Sequence, residues 1–433
     1  MRSGVEMRRV LIVAYHYPPV AGSSGVQRTL KFSTYLRDHG WEPLILTVRP
    51  RAYERVTDGQ MAEVPAGMRV ERAFALDSAR HMSIFGHYPA RLAMPDRWCS
   101  WWPDAVRRGL KMIRHERPVA LMSTFPIASA HMIAKTLQRM SGLPWLADFR
   151  DHMTDPEYPP DPAIWRFNRR LEADTVQACA RAVFTTRGAL QMYAERYPAL
   201  PASRWAIIEN GFDEENFREA ERDAAAAPRP AGGPLRLVHS GILYPWERDP
   251  RQFFAAVARL KAAGVLSAQS VRIVLRATAS DGVYRPLLAQ AEIDDIVELA
   301  PSIGYRQALQ EMLEADGLLL FQAAIANQQI PAKLYEYMRA GRPILAVTDP
   351  AGDTAAAMRA SNTGLICDLA DAENIAAQLR LFVDGIRRGS LAGTDRALAN
   401  KHSRRARTAE LASHLDEVAG AQPRLAATAG SGA

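Results

Sequence analysis

The stretch "IPAKLYEYMRAGRPILAV" at residues 330–347 puts a cation and a carboxylate, Lys333 and Glu336, three positions apart in the opening turns of a predicted helix. Residues three apart share one helix face. Pro331 suits the first helical position, where no N–H is needed, and Gly341 suits the turn beyond the last residue. A helix N-terminus carries partial positive charge and unpaired N–H groups, so it attracts anions. Lysine in that first turn opposes the dipole, and a bound phosphate explains it better than helix stability does. Glu336 offers two acceptor oxygens to a diol such as a ribose. The same spacing also fits a surface ion pair worth a few tenths of a kcal/mol.

Other segments carry polar groups where chemistry is done. "PPVAGSSGVQR" (18–28) is a Gly/Ser-rich turn holding Gly22 and Gly25 between a first strand and a first helix. Glycines there let the backbone approach a ligand closely, with helix N–H groups aimed at it, or simply make a tight turn. The pattern is not G-x-G-x-x-G, which weighs against a dinucleotide oxidoreductase. "ADFRDHMTDP" (147–156) sets Asp148, Arg150 and Asp151 at the lip of a buried strand, either as an acceptor or catalytic patch or as a cap and salt bridge. His16 and His131 also stand near strand ends, where lone histidines are more often structural. "RWCSWWPDAVRRGLKMIRHERP" (97–118) mixes three tryptophans with arginine and lysine. That mixture suits an anionic membrane surface, or a solvated helix whose tryptophans pack inward.

These residues need elements to hold them. Strands are expected at 8–15, 42–48, 117–125, 144–151, 181–186 and 205–211, with helices at 25–41, 127–142 and near 162–180. A second series gives strands at 235–241, 271–277, 296–300, 317–323 and 342–347, with helices at 250–264, 305–316, 331–340, 373–389 and 403–420. Short apolar strands alternating with amphipathic helices predict doubly wound parallel sheets. The fold class is therefore α/β: two Rossmann-like domains facing a cleft, with ligands at the C-terminal ends of the strands. The expected bounds are 1–217, a linker over 218–234 ("REAERDAAAAPRPAGGP"), 235–398, a C-terminal helix over 399–420 returning toward the first domain, and a disordered tail over 421–433.

Composition limits the function. With 433 residues, 48% of them hydrophobic and 23% charged, two cores are expected. The net charge of +7 is uneven: residues 1–210 hold 29 Lys+Arg against 20 Asp+Glu, and the remainder 25 against 27. The basic half should meet an anionic partner. Cys99, Cys179 and Cys367 are too scattered for a disulfide framework or zinc site, which fits a reducing cytosol. The apolar run "VLIVAY" is too short for a signal segment, and no stretch approaches the roughly 18 apolar residues of a membrane span. A cytoplasmic protein, peripheral on the inner membrane face through 97–118, is the expectation. No nucleic-acid module stands out.

"IPAKLYEYMRAGRPILAV" resembles the donor-binding motif of the family 4 GT-B glycosyltransferases, which use nucleotide sugars with retention of configuration. "YHYPPVAGSSGVQRTLKFSTYLRDHGWEPLILTV", "STFPIASAHMIAKTLQRMSGLPWLADFRD", "IENGFDEENF" and "SGILYPWERDP" are similar to one subgroup, so the likeness runs from about residue 8 to 415. It implies that Glu336 holds the nucleotide ribose. The family's first glutamate of E-x7-E is replaced by Gln328, which can bond sugar hydroxyls but brings no charge. Arg248, seven after Gly241, fits the diphosphate-binding position, and Ile242 stands where an earlier basic residue is common. Donor binding thus falls to Gly22, Gly25, Gly241, Arg248, Gln328, Lys333 and Glu336, and catalysis to Arg248, Lys333 and Asp151. His16, Asp148, Arg150 and Asp151 face the acceptor. The family's sugar-contacting histidine is replaced by Thr124. There is no Asp-x-Asp, so neither metal nor cofactor is expected, and arginine, lysine and helix dipoles would neutralise the leaving nucleotide. The resemblance implies hexosyl transfer to a carbohydrate or lipid-linked acceptor in bacterial surface or extracellular polysaccharide assembly. The rivals are a nucleotide-sugar 2-epimerase and a non-catalytic nucleotide-binding partner.

Overall fold

A computed structural model describes residues 7–21, 25–57, 59–83, 87, 93–156, 158–226 and 232–420. The chain forms two compact units, the first from the N-terminus to Thr185 with Ala189–Ile208 and Arg407 onward, the second from Thr186–Gly188 and Glu209–Ala406.

Among the described residues the first unit holds seven strands, β1 (Arg8–Val13), β2 (Trp41–Val48), β3 (Arg69–Ala73), β4 (Ala120–Thr124), β5 (Trp145–Arg150), β6 (Arg181–Phe184) and β7 (Trp205–Ile207). They pair in the order β3-β2-β1-β4-β5-β6-β7, all parallel. Both faces are covered. In β1, Leu11 and Val13 enter one core cluster while Val10 and Ile12 enter the other, which is why the strand reads as an unbroken apolar run. The helix Arg404–Gly420 brings Leu411 and Leu415 to the second of these clusters, and its Asp416 accepts from Trp41 Nε1 at 2.8 Å.

The second unit has six parallel strands, β8 (Leu235–Ser240), β9 (Val271–Arg276), β10 (Val297–Ala300), β11 (Gly317–Gln322), β12 (Ile344–Thr348) and β13 (Gly364–Cys367). Their order, β10-β9-β8-β11-β12-β13, is the doubly wound Rossmann order. Alternate residues again serve two cores: Leu319 and Phe321 one, Leu318 and Leu320 the other.

The α/β class with two parallel-sheet units stands as read. The linker does not: residues 218–226 continue the helix Glu214–Ala226, and residues 227–231 lie outside those described. The alanines of "AERDAAAA" are helix formers, and Phe217 and Ala220 bury their side chains in the second unit's core. The unit boundary accordingly falls between Ile208 and Glu209 rather than after residue 217. Edge strands β3 and β13 went unanticipated, being four or five residues long with little alternation. The tail over 421–433 lies outside the described residues.

Candidate functional site

In the second unit the helix Ala332–Ala340 starts beside the C-terminal end of β8. Pro331 occupies its N-cap rather than the first helical position, and Gly341 closes it in the left-handed conformation at φ 67°. Gly241, the residue after β8, has φ +122°, and a Cβ there would lie 2.6 Å from Lys333 Nζ. The bare glycine backbone is the floor on which the lysine lies.

Lys333 and Glu336 do not pair with each other. Nζ lies 3.4 Å from Nε2 of His239, a fully buried residue whose Nδ1 is 2.9 Å from the carbonyl of Leu319. Nδ1–H donates to that carbonyl, so Nε2 is free to accept from the amine. Burial, followed by Lys333, holds the His239 imidazole well below its ordinary pKa. Burial and then the Arg248 charge lower Lys333 itself to about 7, with Glu336 opposing. Two cationic side chains therefore act on one half-buried spot.

Arg248 is fixed from three sides: Nε donates to Gln322 Oε1 at 3.1 Å, Nη2 lies 3.2 Å from Glu247, and the guanidinium sits 5.8 Å from the Tyr244 ring centroid. Gln322 is the last residue of β11, so the arginine is tied to that strand end. Glu247 gives Arg248 an ionic partner, yet the guanidinium still raises the cost of charging Lys333. Glu336 accepts from Tyr305 Oη at 2.7 Å. Burial raises its carboxyl pKa, and the Tyr305 bond, Arg404 and Lys333 oppose the rise. Gln328 is half-buried between β11 and the helix, and its carbonyl accepts from Thr186 Oγ1 at 2.6 Å. Sequence reasoning missed His239, Tyr305 and Gln322. His239 stands in the quoted "HSGILYPWERDP", but Tyr305 is 31 positions from Glu336 and carries no local signal.

In the first unit, Asp148 spends its oxygens inside the protein. Oδ2 accepts from Arg28 Nε at 3.0 Å and Thr124 Oγ1 at 3.0 Å, and Oδ1 from Arg28 Nη2 at 2.9 Å. Both members of the pair are 1% exposed, so Asp148 positions the strand end rather than meeting a substrate. Removing one member of such a buried pair costs about 3–5 kcal/mol. His131 is likewise structural, fully buried with Nδ1 2.7 Å from Ser123 Oγ. Asp151, one residue past β5, is half-exposed. Gly25, at the start of the helix Gly25–Tyr35, lies against Arg150 and His16, and burial together with Arg150 lowers the His16 pKa to about 3. Gly22 lies outside the described residues.

The tryptophan-rich segment is the helix Trp101–Glu116 with its approach. Trp101 is fully buried in the core, Trp98 packs against it, and Trp102 is 39% exposed. Arg107 and Arg108 both bond Asp104, while Lys111 and Arg114 are exposed.

No family model matches this sequence, and no curated protein does. Solved structures do match in shape. HepE of Anabaena in complex with UDP gives a TM-score of 0.65 at 12% identity, covering 95% of this chain and 100% of that one. Sucrose-phosphate synthase of Thermosynechococcus elongatus gives 0.63 at 14%, covering 95% and 98%. UDP-GlcNAc 2-epimerase of Neisseria meningitidis bound to UDP-GlcNAc gives 0.57 at 12%, covering 94% and 100%. At such identities the likeness is one of fold, and that fold is GT-B: two parallel-sheet α/β units of seven and six strands.

Proposed function

We propose that this chain is a glycosyltransferase that takes a hexosyl group from a nucleoside-diphosphate sugar. The observation that carries this reading is the cationic floor of the second unit, where Lys333 lies on Gly241 with Arg248 acting on the same point at the strand ends. A diphosphate supplies the counter-charge that Lys333 meets in no ion pair among the described residues, and Glu336 takes the ribose hydroxyls. In transfer, the bond from the sugar's anomeric carbon to the phosphate oxygen breaks and a bond to the acceptor oxygen forms. The acceptor proton passes to the departing phosphate. Lys333 and Arg248 stabilise the charge growing on that phosphate, with no metal or cofactor invoked. Retention of configuration, family 4 membership and a role in polysaccharide assembly follow the order of the motifs, which supports them by likeness alone. The carboxylate on the acceptor side is Asp151.

The fold also supports a nucleotide-sugar 2-epimerase, since such enzymes share it. Gln328 weighs against it, because epimerisation needs acid–base carboxylates near the sugar. Incubation with UDP-glucose, GDP-mannose, ADP-glucose, dTDP-glucose and UDP-GlcNAc separates the readings. Release of free nucleotide is expected. An epimerised nucleotide sugar, or binding with no turnover, would replace the transferase reading by one of its rivals.

An anionic membrane is the proposed surface partner, met by Arg107, Lys111 and Arg114 on the helix Trp101–Glu116. No helix among the described residues is long and apolar enough to cross a membrane. Charge reversal at Arg107 and Lys111 should abolish sedimentation with anionic vesicles at low salt. Equal sedimentation of variant and parent would remove the membrane from the account.

A further inference from the structure

Among the described residues the most exposed tryptophan is Trp246, at 78%, against 39% for Trp102. A large ring left in water is an informative exception in a folded chain, and grouped exposed apolar side chains mark ligand grooves or interfaces. The loop that carries it, after β8, is fixed rather than slack. Leu243 is fully buried, and its carbonyl accepts from Tyr284 Oη at 2.9 Å. The N–H groups of Glu247 and Arg248 both donate to the carbonyl of Tyr244, at 3.2 and 2.7 Å, closing a turn around Trp246. The indole leans on the Tyr244 ring, with centroids 5.3 Å apart and planes inclined by 31°. The turn therefore holds the ring out to solvent instead of folding it into the core.

This ring stands next to the cationic floor. The Arg248 guanidinium already lies over Tyr244, and Gln322, which accepts from Arg248, donates through Nε2 to the carbonyl of Ala326 at 3.3 Å. The same glutamine thus fixes the short turn Ala324–Ala326, where Ile325 is 69% exposed. Ile242, one residue past Gly241, is 38% exposed. Exposed apolar side chains accordingly stand on both loops beside the cations, those that follow the paired strands β8 and β11. The contacts also have an order. Glu336 acts on Lys333, Arg248 acts on Lys333, the guanidinium lies over Tyr244, and Tyr244 meets Trp246. A nucleoside-diphosphate sugar has the matching order of ribose, diphosphate and sugar. A pyranose ring has a face of C–H bonds with partial positive charge, and the face of an indole is electron-rich.

We propose that Trp246, backed by Tyr244, is a platform on which the apolar face of a pyranose ring stacks beside the diphosphate held by Lys333 and Arg248. This inference rests on the nucleotide-sugar reading of that floor. The pyranose comes from the donor or from the acceptor, and two titrations tell these sources apart.

In the first, the full chain is titrated by calorimetry with the tightest-binding nucleotide sugar of the panel and with its free nucleoside diphosphate. In the second, the chain saturated with that diphosphate is titrated with glucose, mannose, galactose and GlcNAc, followed by saturation-transfer NMR. With the donor sugar on the platform, Trp246→Ala should weaken the nucleotide sugar about three- to tenfold and shift the free diphosphate by less than about twofold. With an acceptor sugar there, the same loss should appear in the second titration. Trp246→Phe keeps an aromatic face and should recover most of the loss, and the melting midpoint of Trp246→Ala should match that of the parent. Equal loss for nucleotide sugar and free diphosphate, no loss in either titration, or a loss that Trp246→Phe does not recover would each overturn the proposal. Failure of the nucleotide-sugar reading shows separately, as nucleotide-sugar affinity unaffected by Lys333→Ala.

Discussion

Lys333→Ala should weaken nucleotide-sugar binding tenfold or more, a loss of about 1.4 kcal/mol or above, as expected for one charge-assisted phosphate contact. The free protein should not suffer with it. A lysine held down to about 7 when folded is harder to protonate there than in the unfolded chain. That cost is fully present below pH 7 and fades as pH rises toward the ordinary lysine value. Lys333→Met should therefore keep or raise the melting midpoint at pH 7 while losing affinity, read by thermal scanning and calorimetry on one sample. Opposite movement of binding and stability marks a residue retained for its ligand. A fall in both would make Lys333 a structural residue packed on His239.

Gly241→Ala is the second large effect. Alanine at φ +122° is strained, and its methyl would meet Lys333 Nζ at 2.6 Å. The strain costs about 1–3 kcal/mol of stability, and the displaced amine should cost at least tenfold in nucleotide-sugar affinity. A double-mutant cycle identifies the route. On a Lys333→Ala background, Gly241→Ala should add little further loss, because there is no amine left to move. Fully additive losses would mean that Gly241 touches the ligand by its own backbone.

The glycine and the lysine lie 92 residues apart, yet both were legible in the sequence, because each sits at a strand end or helix start that local pattern marks. The central strands β1 and β11 were read for the same reason: the runs Val10–Val13 and Leu318–Phe321 are apolar and buried throughout. What lay hidden depends on pairings across the chain. His239 looked like part of a strand, and only the fold brings its Nε2 to Lys333. Tyr305 could not be connected with Glu336 before the helix Tyr305–Glu314 was placed beside the helix Ala332–Ala340. Asp148 looked like a site residue because it ends a buried strand; its partner Arg28, 120 positions away, turns it into a support. The tryptophans of 97–118 seemed suited to a membrane by composition, but periodicity puts Trp101 inward and leaves Trp102 outside. The misplaced linker shows composition misleading in the other direction: alanine-rich and charged, residues 218–226 are a helix whose start is anchored by Glu214 on Arg339 at 2.6 Å.

The most direct measurement is the pH dependence of nucleotide-sugar affinity between pH 6 and 9, with proton uptake obtained from titrations in buffers of different ionisation enthalpy. The tightest-binding nucleotide sugar of the panel serves as ligand, since its diphosphate diester does not titrate in this range. A diphosphate raises the pKa of Lys333 from about 7, so above that pH the amine must take up a proton as the ligand binds. The account predicts constant affinity below pH 7, a fall approaching tenfold per pH unit above it, and uptake of up to one proton, all lost in Lys333→Arg. A dissociation constant flat across that range with no proton uptake would contradict it.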